Sequence, residues 1–171
     1  VIFVDFNQFE AGAFATTPMD SAGANRNADV LTYPFAGNAS ASAGSAYAEL
    51  STLLTVSPSG GTVAIATTAN IADGPLHLSG TLASTAIQCG DGPNEILKSG
   101  LTDMSTGVRK RASSWGAAGQ SVTGDGVAVA TGTFDGAIGS TALGIGCGTG
   151  GAFGWYGTIK NVRIWQRQLP D

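Results

Sequence analysis

Apolar residues recur at nearly every second position along this chain, and turn-forming residues interrupt them about every ten residues. Alternation with a period of two is the pattern of a strand with one buried face, because successive side chains of a strand point to opposite sides of the sheet. Regular interruption by Gly, Pro, Asn, Asp or Ser is typical of sandwiches and barrels. The sequence therefore predicts an all-β, antiparallel β-sandwich.

The alternating segments define the predicted strands. They are Ile2 to Phe9, Asp29 to Phe35, Ala46 to Val56, Thr62 to Thr68, Leu76 to Leu82, Ser84 to Cys89, Ile96 to Gly100, Gly107 to Ala112, Val127 to Phe134, Ala142 to Cys147 and Gly157 to Trp165. The predicted turns are Asp73-Gly74-Pro75, Asp91-Gly92-Pro93-Asn94, Gly124-Asp125-Gly126 and Asp135-Gly136. In the last strand Ile159 is out of step with Val162 and Ile164, which predicts either a bulge near Lys160 or burial of both faces.

Length and charge restrict the classes of protein to which the chain can belong. A chain of 171 residues suits one domain. The net charge of -4 argues against a nucleic-acid partner, because phosphate neutralisation needs a basic surface. No run approaches the roughly 20 apolar residues that span a bilayer, so we expect no membrane insertion. The chain also starts without a methionine, and we expect it to be cut from a longer polypeptide.

The C-terminal segment resembles a known structural family. Its residues 154–169, GWYGTIKNVRIWQRQL, follow the segment Leu143-Gly144-Ile145-Gly146. This combination resembles the closing strands of concanavalin A-like and laminin-G-like jelly rolls. The resemblance implies a sandwich of that type. Sandwiches of this type include lectins, adhesion domains and glucanases, so the fold alone does not define the function.

The N-terminal segment carries a second resemblance. Residues 6–18, FNQFEAGAFATTP, followed by residues 26–31, RNADVL, resemble a stretch found in phage and prophage virion proteins with such jelly rolls. In those proteins the stretch often ends one module and leads into the next. The resemblance implies an N-terminal strand and lead-in over residues 1–28 and a jelly-roll domain over residues 29–171. It also implies a location on the virion surface, other virion subunits as partners and a homo-oligomer, with a trimer favoured.

Catalytic motifs do not stand out in this sequence. Retaining glycosidases need two carboxylates about 5 Å apart, and the glucanases of this fold present them as Glu-x-Asp-x-x-Glu. The three glutamates, Glu10, Glu49 and Glu95, have no such spacing. The sole histidine, His77, lies in an ordinary alternating pattern, where a structural role is favoured over membership of a catalytic triad. We therefore expect a protein that is not an enzyme, with a glycoside hydrolase as the least favoured alternative.

Candidate ligand-binding residues lie in the turns. Sugar sites combine an aromatic ring, on which the sugar stacks, with side chains that bind its hydroxyl groups. Trp115 lies in a predicted polar loop and is either such a platform or a lid on the core. The polar candidates are Asp91, Asn94, Asp125 and Asp135, each in a Gly-rich turn or next to one. Each aspartate is alternatively a turn residue that bonds its own backbone.

No cofactor is required by the sequence, although a calcium ion is compatible with its turns. Asp73 and Asp91 are weak calcium candidates, since carboxylates that converge in turns supply the oxygen ligands that this ion prefers. Cys89 and Cys147 either pair across two core strands or remain buried free thiols, and the second interpretation is favoured.

Two function classes follow from these observations. The first is a domain of a tail fibre or spike that binds a host receptor or surface glycan. The second is a capsid or tail decoration or attachment protein that docks on the particle and stabilises it.

Overall fold

The computed structural model describes residues 31–52, 62–67, 73–78, 87–91, 93–98, 101, 104–126, 130–139, 142–149, 154–155 and 157–170. Within these residues there are eleven strands and one short 3-10 helix, Met104–Thr106. The strands are β1 (Leu31–Tyr33), β2 (Gly44–Thr52), β3 (Thr62–Ala66), β4 (Asp73–Leu78), β5 (Ile87–Asp91), β6 (Glu95–Lys98), β7 (Arg109–Gly116), β8 (Gly119–Gly124), β9 (Ala130–Gly132), β10 (Leu143–Ile145) and β11 (Gly157–Trp165).

The described strands form two antiparallel sheets. The first sheet has the order β1-β10-β3-β4-β5-β6, and the second has the order β11-β2-β7-β8-β9. In both sheets a strand from near the end of the chain pairs with an early one, β10 with β1 and β11 with β2. This arrangement confirms the predicted all-β, antiparallel jelly-roll sandwich.

The core lies between the sheets and is built from alternate residues of their strands. In β2 the residues Ala46, Ala48 and Leu50 are almost completely buried, whereas Tyr47 and Glu49 between them are not. Small side chains on β2 make room for the large ring of Trp115 on the neighbouring β7. A β-carbon at position 44 would overlap that ring, so Gly44 is required there. The inner face of the second sheet therefore follows the period-two pattern of the sequence.

Several strand limits differ from the prediction. The turn predicted at residues 73–75 is part of β4, where Pro75 lies at a register shift between β4 and β5. Proline is tolerated at such irregular positions because no regular ladder hydrogen bond is lost there. The structure also contains β8, which the sequence did not predict, since Gly119–Gly124 is mostly polar. The hairpin turn at residues 91–94 and the turn at Asp125 are confirmed.

The bulge predicted in the last strand is confirmed. In the pairing of β11 with β2, Lys160 lies opposite Glu49 and Arg163 lies opposite Tyr47. Asn161 and Val162 therefore share a single opposing residue, Ala48. The extra residue restores the alternation, so that both Ile159 and Ile164 pack against the core.

The basic run at residues 109–111 lies in a central strand of the second sheet, not at an edge. Lys110 is exposed on the outer face, and the side chain of Arg111 is completely buried on the inner face. The guanidinium of Arg111 forms an ion pair with Asp125 at 2.7 Å and donates to the carbonyl of Lys110. A buried charge is costly without a partner, and this pair joins β7 to the turn after β8.

The remaining sequence expectations concern cysteines, termini and membranes. Cys89 and Cys147 are both buried free thiols, and burial raises the pKa of Cys89 to about 12. The predicted strand Ile2 to Phe9 and the lead-in over residues 1–28 lie outside the described residues. No helix in the part of the chain that the structure describes has the length and hydropathy to cross a bilayer.

Candidate functional site

Three of the predicted site residues come together at one end of the sandwich. The carboxylate of Asp91 accepts hydrogen bonds from the backbone amide of Asn94 at 2.9 Å and from that of Asp135 at 2.5 Å. The side-chain amide of Asn94 donates to both oxygens of Asp91, at 3.3 and 3.4 Å. We call Asp91, Asn94 and Asp135 the turn cluster.

Asp91, the buried member of the turn cluster, holds loops together. Asp91 is only 6% exposed, and both of its oxygens accept hydrogen bonds from the chain itself. Gln120, on β8 of the other sheet, donates to the carbonyls of Asn94 and Thr133 at 3.1 and 2.7 Å. These bonds connect the β5–β6 turn to the loop after β9. Asp91 therefore has the alternative role that the sequence left open, in which a turn aspartate accepts hydrogen bonds from the backbone and fixes its path.

Trp115 is not a surface platform. It lies in β7 instead of a polar loop, its ring is completely buried, and its indole nitrogen donates to the carbonyl of Ser40 at 3.0 Å. A sugar can stack only on a ring that it can reach. The structure therefore supports the other predicted role of Trp115, which is to pack in the core.

Asp125 also serves the fold. One carboxylate oxygen accepts from the backbone amide of Lys110 at 2.8 Å, and the other pairs with Arg111 at 2.7 Å. Partial burial acts to raise the pKa of Asp125, but the hydrogen bonds from Arg111 and Lys110 outweigh it and hold the pKa below its usual value. Both oxygens of this predicted ligand-binding residue are thus occupied by the chain.

The calcium candidates are neighbours in the first sheet. Asp73 on β4 lies opposite Asp91 on β5 in the strand register. Among the described side chains, no group of three or more His, Cys, Asp or Glu could hold one metal ion. A calcium ion at Asp73 and Asp91 stays a prediction.

The outer face of the second sheet carries a different set of polar residues. In the register of three adjacent strands, Glu49 on β2 lies between Lys160 on β11 and Lys110 on β7. The next outward position of β2 is Tyr47, which lies opposite Arg163 on β11. We call this surface, between β11 and β7, the outer polar face.

The centre of the outer polar face is a hydrogen-bonded triad, the Glu49 cluster. One carboxylate oxygen of Glu49 accepts from the hydroxyl of Tyr47 at 2.9 Å, and the other accepts from the side-chain amide of Asn161 at 2.9 Å. Asn161 lies in the bulge of β11 with a φ of 50°, a conformation that is uncommon for residues other than glycine. The bulge therefore aims the amide of Asn161 at Glu49.

These contacts set the protonation states of the triad. Hydrogen bonds from Tyr47 and Asn161 hold the pKa of Glu49 below its usual value, and the charges of Lys110 and Lys160 act in the same direction. Burial and the bond to Glu49 raise the pKa of Tyr47. At neutral pH the cluster is thus an ionised carboxylate with a phenol and an amide as its donors.

The C-terminal segment, residues 166–170, limits the outer polar face on one side. The backbone amide of Leu169 donates to the hydroxyl of Ser45, and the side-chain amide of Gln168 donates to the carbonyl of Gly119, both at 2.9 Å. Next to this segment lies a recess of about 470 Å³, which includes Ser121 and Thr131 in its lining. Trp165, half-buried, ends β11 on the same side of the sheet as Arg163.

A separate groove of about 840 Å³ lies between the edge strands of the two sheets. It runs between β1 and β10 on one side and β11 on the other, and we call it the edge groove. Its lining includes Leu31, Tyr33 and Val162, which are 49%, 45% and 36% exposed. Half-buried Trp155 lies in the same groove and donates to the carbonyl of Ser51 at 3.2 Å. Most of the residues that line this groove are apolar, in contrast to those of the outer polar face.

The Glu49 cluster was missed by the sequence reasoning, although two signals for it were present. Tyr47 and Glu49 are two residues apart in a predicted strand and therefore share a face. The bulge predicted near Lys160 also marked a place where a strand redirects its side chains. The pairing of β2 with β11, which brings Asn161 to Glu49, joins residues that are 112 positions apart and has no local signature.

Comparisons with known proteins support the fold. No family model matches the chain, and no curated protein matches it. Among solved structures, the chain is similar to the CBM40 module of the Ruminococcus gnavus IT-sialidase, which was solved with bound α2,3-sialyllactose. The TM-score is 0.50 with 12% sequence identity, over 77% of this chain and 79% of that one. At this identity the likeness establishes the sandwich fold alone.

Proposed function

We propose that this protein is a non-catalytic glycan-binding module, and that the outer polar face is its binding surface. The observation that carries the proposal is the Glu49 cluster, in which an ionised carboxylate is held on an exposed face by Tyr47 and Asn161. Sugar hydroxyls both donate and accept hydrogen bonds. A carboxylate, an amide and a phenol on one surface offer both acceptors and donors for these hydrogen bonds.

The conformation of Asn161 strengthens this interpretation. Asparagine adopts positive φ more readily than most residues other than glycine, so Asn161 suits the bulge. The bulge in β11 brings the side-chain amide of Asn161 within hydrogen-bond distance of the carboxylate of Glu49, which also accepts a hydrogen bond from Tyr47. A site that is organised before the ligand arrives loses less entropy when it binds.

The arrangement of carboxylates on the surface supports a non-catalytic role. Glycosidases that use a pair of carboxylates need one acid and one nucleophile or base. On the described part of the outer polar face Glu49 is the one glutamate, and Asp125 at the end of the same sheet is occupied by Arg111 and Lys110. The likeness to a carbohydrate-binding module is consistent with this class of protein.

We further propose that the module is displayed on a virion surface, as part of a tail fibre or spike that recognises a host glycan. The support is the resemblance of residues 6–18 and 26–31 to phage virion proteins. A homo-oligomer, with a trimer favoured, belongs to the same proposal. Light scattering of the purified chain measures its mass in solution and tests the trimer.

A glycan array tests the binding proposal. Wild-type protein should bind a subset of the glycans, and Glu49→Gln should weaken that binding about tenfold because it removes a charged acceptor. Thr131→Ala, on β9 at the other end of the same sheet, is the matched control and should bind like wild type. Equal binding by Glu49→Gln and wild type would overturn the assignment of the site. A lack of binding to every glycan would overturn the function.

The second candidate function is docking on other virion subunits, as in a decoration or attachment protein. It is favoured by the edge groove, because exposed apolar patches mark interaction surfaces in soluble proteins. A decoration protein should bind purified particles and raise their thermal stability. The double variant Leu31→Ser, Val162→Ser should then lose particle binding, and it should leave glycan binding unchanged.

A further inference from the structure

The outer polar face carries a surplus of positive charge in an acidic protein. The chain as a whole has a net charge of -4. Lys110, Lys160 and Arg163 are all exposed on this face, around the single carboxylate of Glu49. No ion pair engages these three cations within the described residues. The face therefore favours an anionic ligand over a neutral one.

The cations are spread over two strands, on either side of Glu49. Lys160 and Lys110 lie one strand away from Glu49 on opposite sides, so their backbones are about 10 Å apart, at about 4.8 Å for each step between strands. Arg163 lies beside Tyr47, further along β11. An ion pair requires a nitrogen–oxygen distance within about 4 Å. Three cations spread in this way offer separate partners to several acidic groups along one ligand.

We infer that the glycan bound here is an acidic polysaccharide, with carboxylate or sulfate groups that repeat along its chain. This inference rests on the proposed function of the outer polar face. The planar guanidinium of Arg163 suits two-point binding of a carboxylate or sulfate, and the lysines act as point charges on either side. The Glu49 cluster then binds the hydroxyl groups between the acidic ones.

Binding measurements with four sugar probes test the inference. The probes are polygalacturonate oligosaccharides, dextran sulfate, neutral dextran of matched length and sialyllactose, which carries one acidic group. We expect at least one of the two repeating anions to bind about tenfold more tightly than neutral dextran and sialyllactose, because several exposed charges each contribute a modest amount. Comparison of the first two probes distinguishes carboxylate from sulfate. Binding should weaken as salt increases.

A triple variant identifies the residues responsible. Lys110→Gln, Lys160→Gln, Arg163→Gln should weaken the binding of the acidic polymer about tenfold and reduce its salt dependence. Lys98→Gln on β6, the edge strand of the other sheet, is the control for the loss of one positive charge elsewhere in the chain and should behave as wild type. A thermal melt of each variant establishes that it is folded.

Three results would overturn the inference. The first is that neutral dextran binds as tightly as both acidic polymers, and that Glu49→Gln weakens the binding of dextran. This result would leave the proposed function intact. The second is unchanged acidic-polymer binding by the folded triple variant. The third is a single-stranded DNA oligomer binding as tightly as the sugars, which would make the surface an unselective polyanion site. Failure of every probe to bind would instead contradict the proposed function itself.

Discussion

The carboxylates of this domain fall into two groups that differ in where their hydrogen-bond donors come from. Asp91 and Asp125 accept backbone amides, and their other donors belong to the loops or strands that they join. Glu49 accepts only from the side chains of Tyr47 and Asn161, on an exposed face. A carboxylate bound to backbone fixes the path of the chain. A carboxylate bound to surface side chains leaves the backbone unchanged when a ligand takes over its hydrogen bonds.

The largest expected effect on stability is at Asp125. Replacing it with alanine should lower the free energy of unfolding by about 3 kcal/mol, because the buried guanidinium of Arg111 loses its carboxylate partner. Urea denaturation measures this change. The control is Asp135→Ala, an exposed residue whose backbone makes the contact with Asp91. If Asp125→Ala and Asp135→Ala were equally stable, Asp125 would not belong to the structural group.

A smaller loss is expected at the turn cluster. Asp91→Ala removes the acceptor for two backbone amides and should lower the free energy of unfolding by about 2 kcal/mol. The variant that remains folded should bind glycan as wild type does, since the turn cluster is not part of the outer polar face. Loss of glycan binding by folded Asp91→Ala would break the distinction between the two groups.

Two substitutions of Asn161 separate backbone strain from binding. Alanine should cost about 1 kcal/mol of stability, since it is disfavoured at positive φ, whereas glycine adopts that conformation readily. Both variants lose the amide that binds Glu49, so both should weaken glycan binding. Denaturation and binding measured on the same samples compare the two effects. If the glycine variant bound the glycan with wild-type affinity, the amide of Asn161 would not be part of the binding site.

The smallest expected effect is the dependence of stability on acid. The folded pKa of Asp125 is lower than its unfolded value, so its ionised form contributes stability that is present above the ordinary pKa near 3.8. That contribution is lost as the pH falls from this value through the folded pKa. Unfolding curves between pH 5 and about pH 2 should show the loss in wild type and a flatter profile in Asp125→Asn. Identical pH profiles of stability in wild type and Asp125→Asn would show that protonation of Asp125 does not change the stability of the fold.

The fold could be predicted because its pattern is local. Alternation in β2 follows directly from its one buried face. β8 was missed because Gln120 and Ser121 replace the expected apolar residues, and Gln120 is satisfied by carbonyls of two distant loops. The position of Trp115 was misjudged for a similar reason. Its polar sequence neighbours, Ser113 and Ser114, lie buried beside it in a central strand.

The site was less predictable than the fold because it depends on strand order. The sequence indicated aspartates in turns, and two of these, Asp91 and Asp125, are occupied by the chain. Glu49, by contrast, lacks the spacing of a glucanase motif. Its partners become neighbours only through the pairing of β2 with β11 and with β7. The positive φ of Asn161, which directs the triad, is a property of the bulge and not of the residue alone.

The most direct test of the account is a map of the bound ligand on the protein. Backbone amide shifts in NMR spectra, recorded while an acidic oligosaccharide is added, report which residues the ligand contacts. If the ligand binds the outer polar face, the shifts will concentrate at residues 47–49, 110–112 and 160–163, on three adjacent strands of the second sheet. Shifts concentrated at the turn cluster or along the edge groove, with none at Glu49, would contradict it.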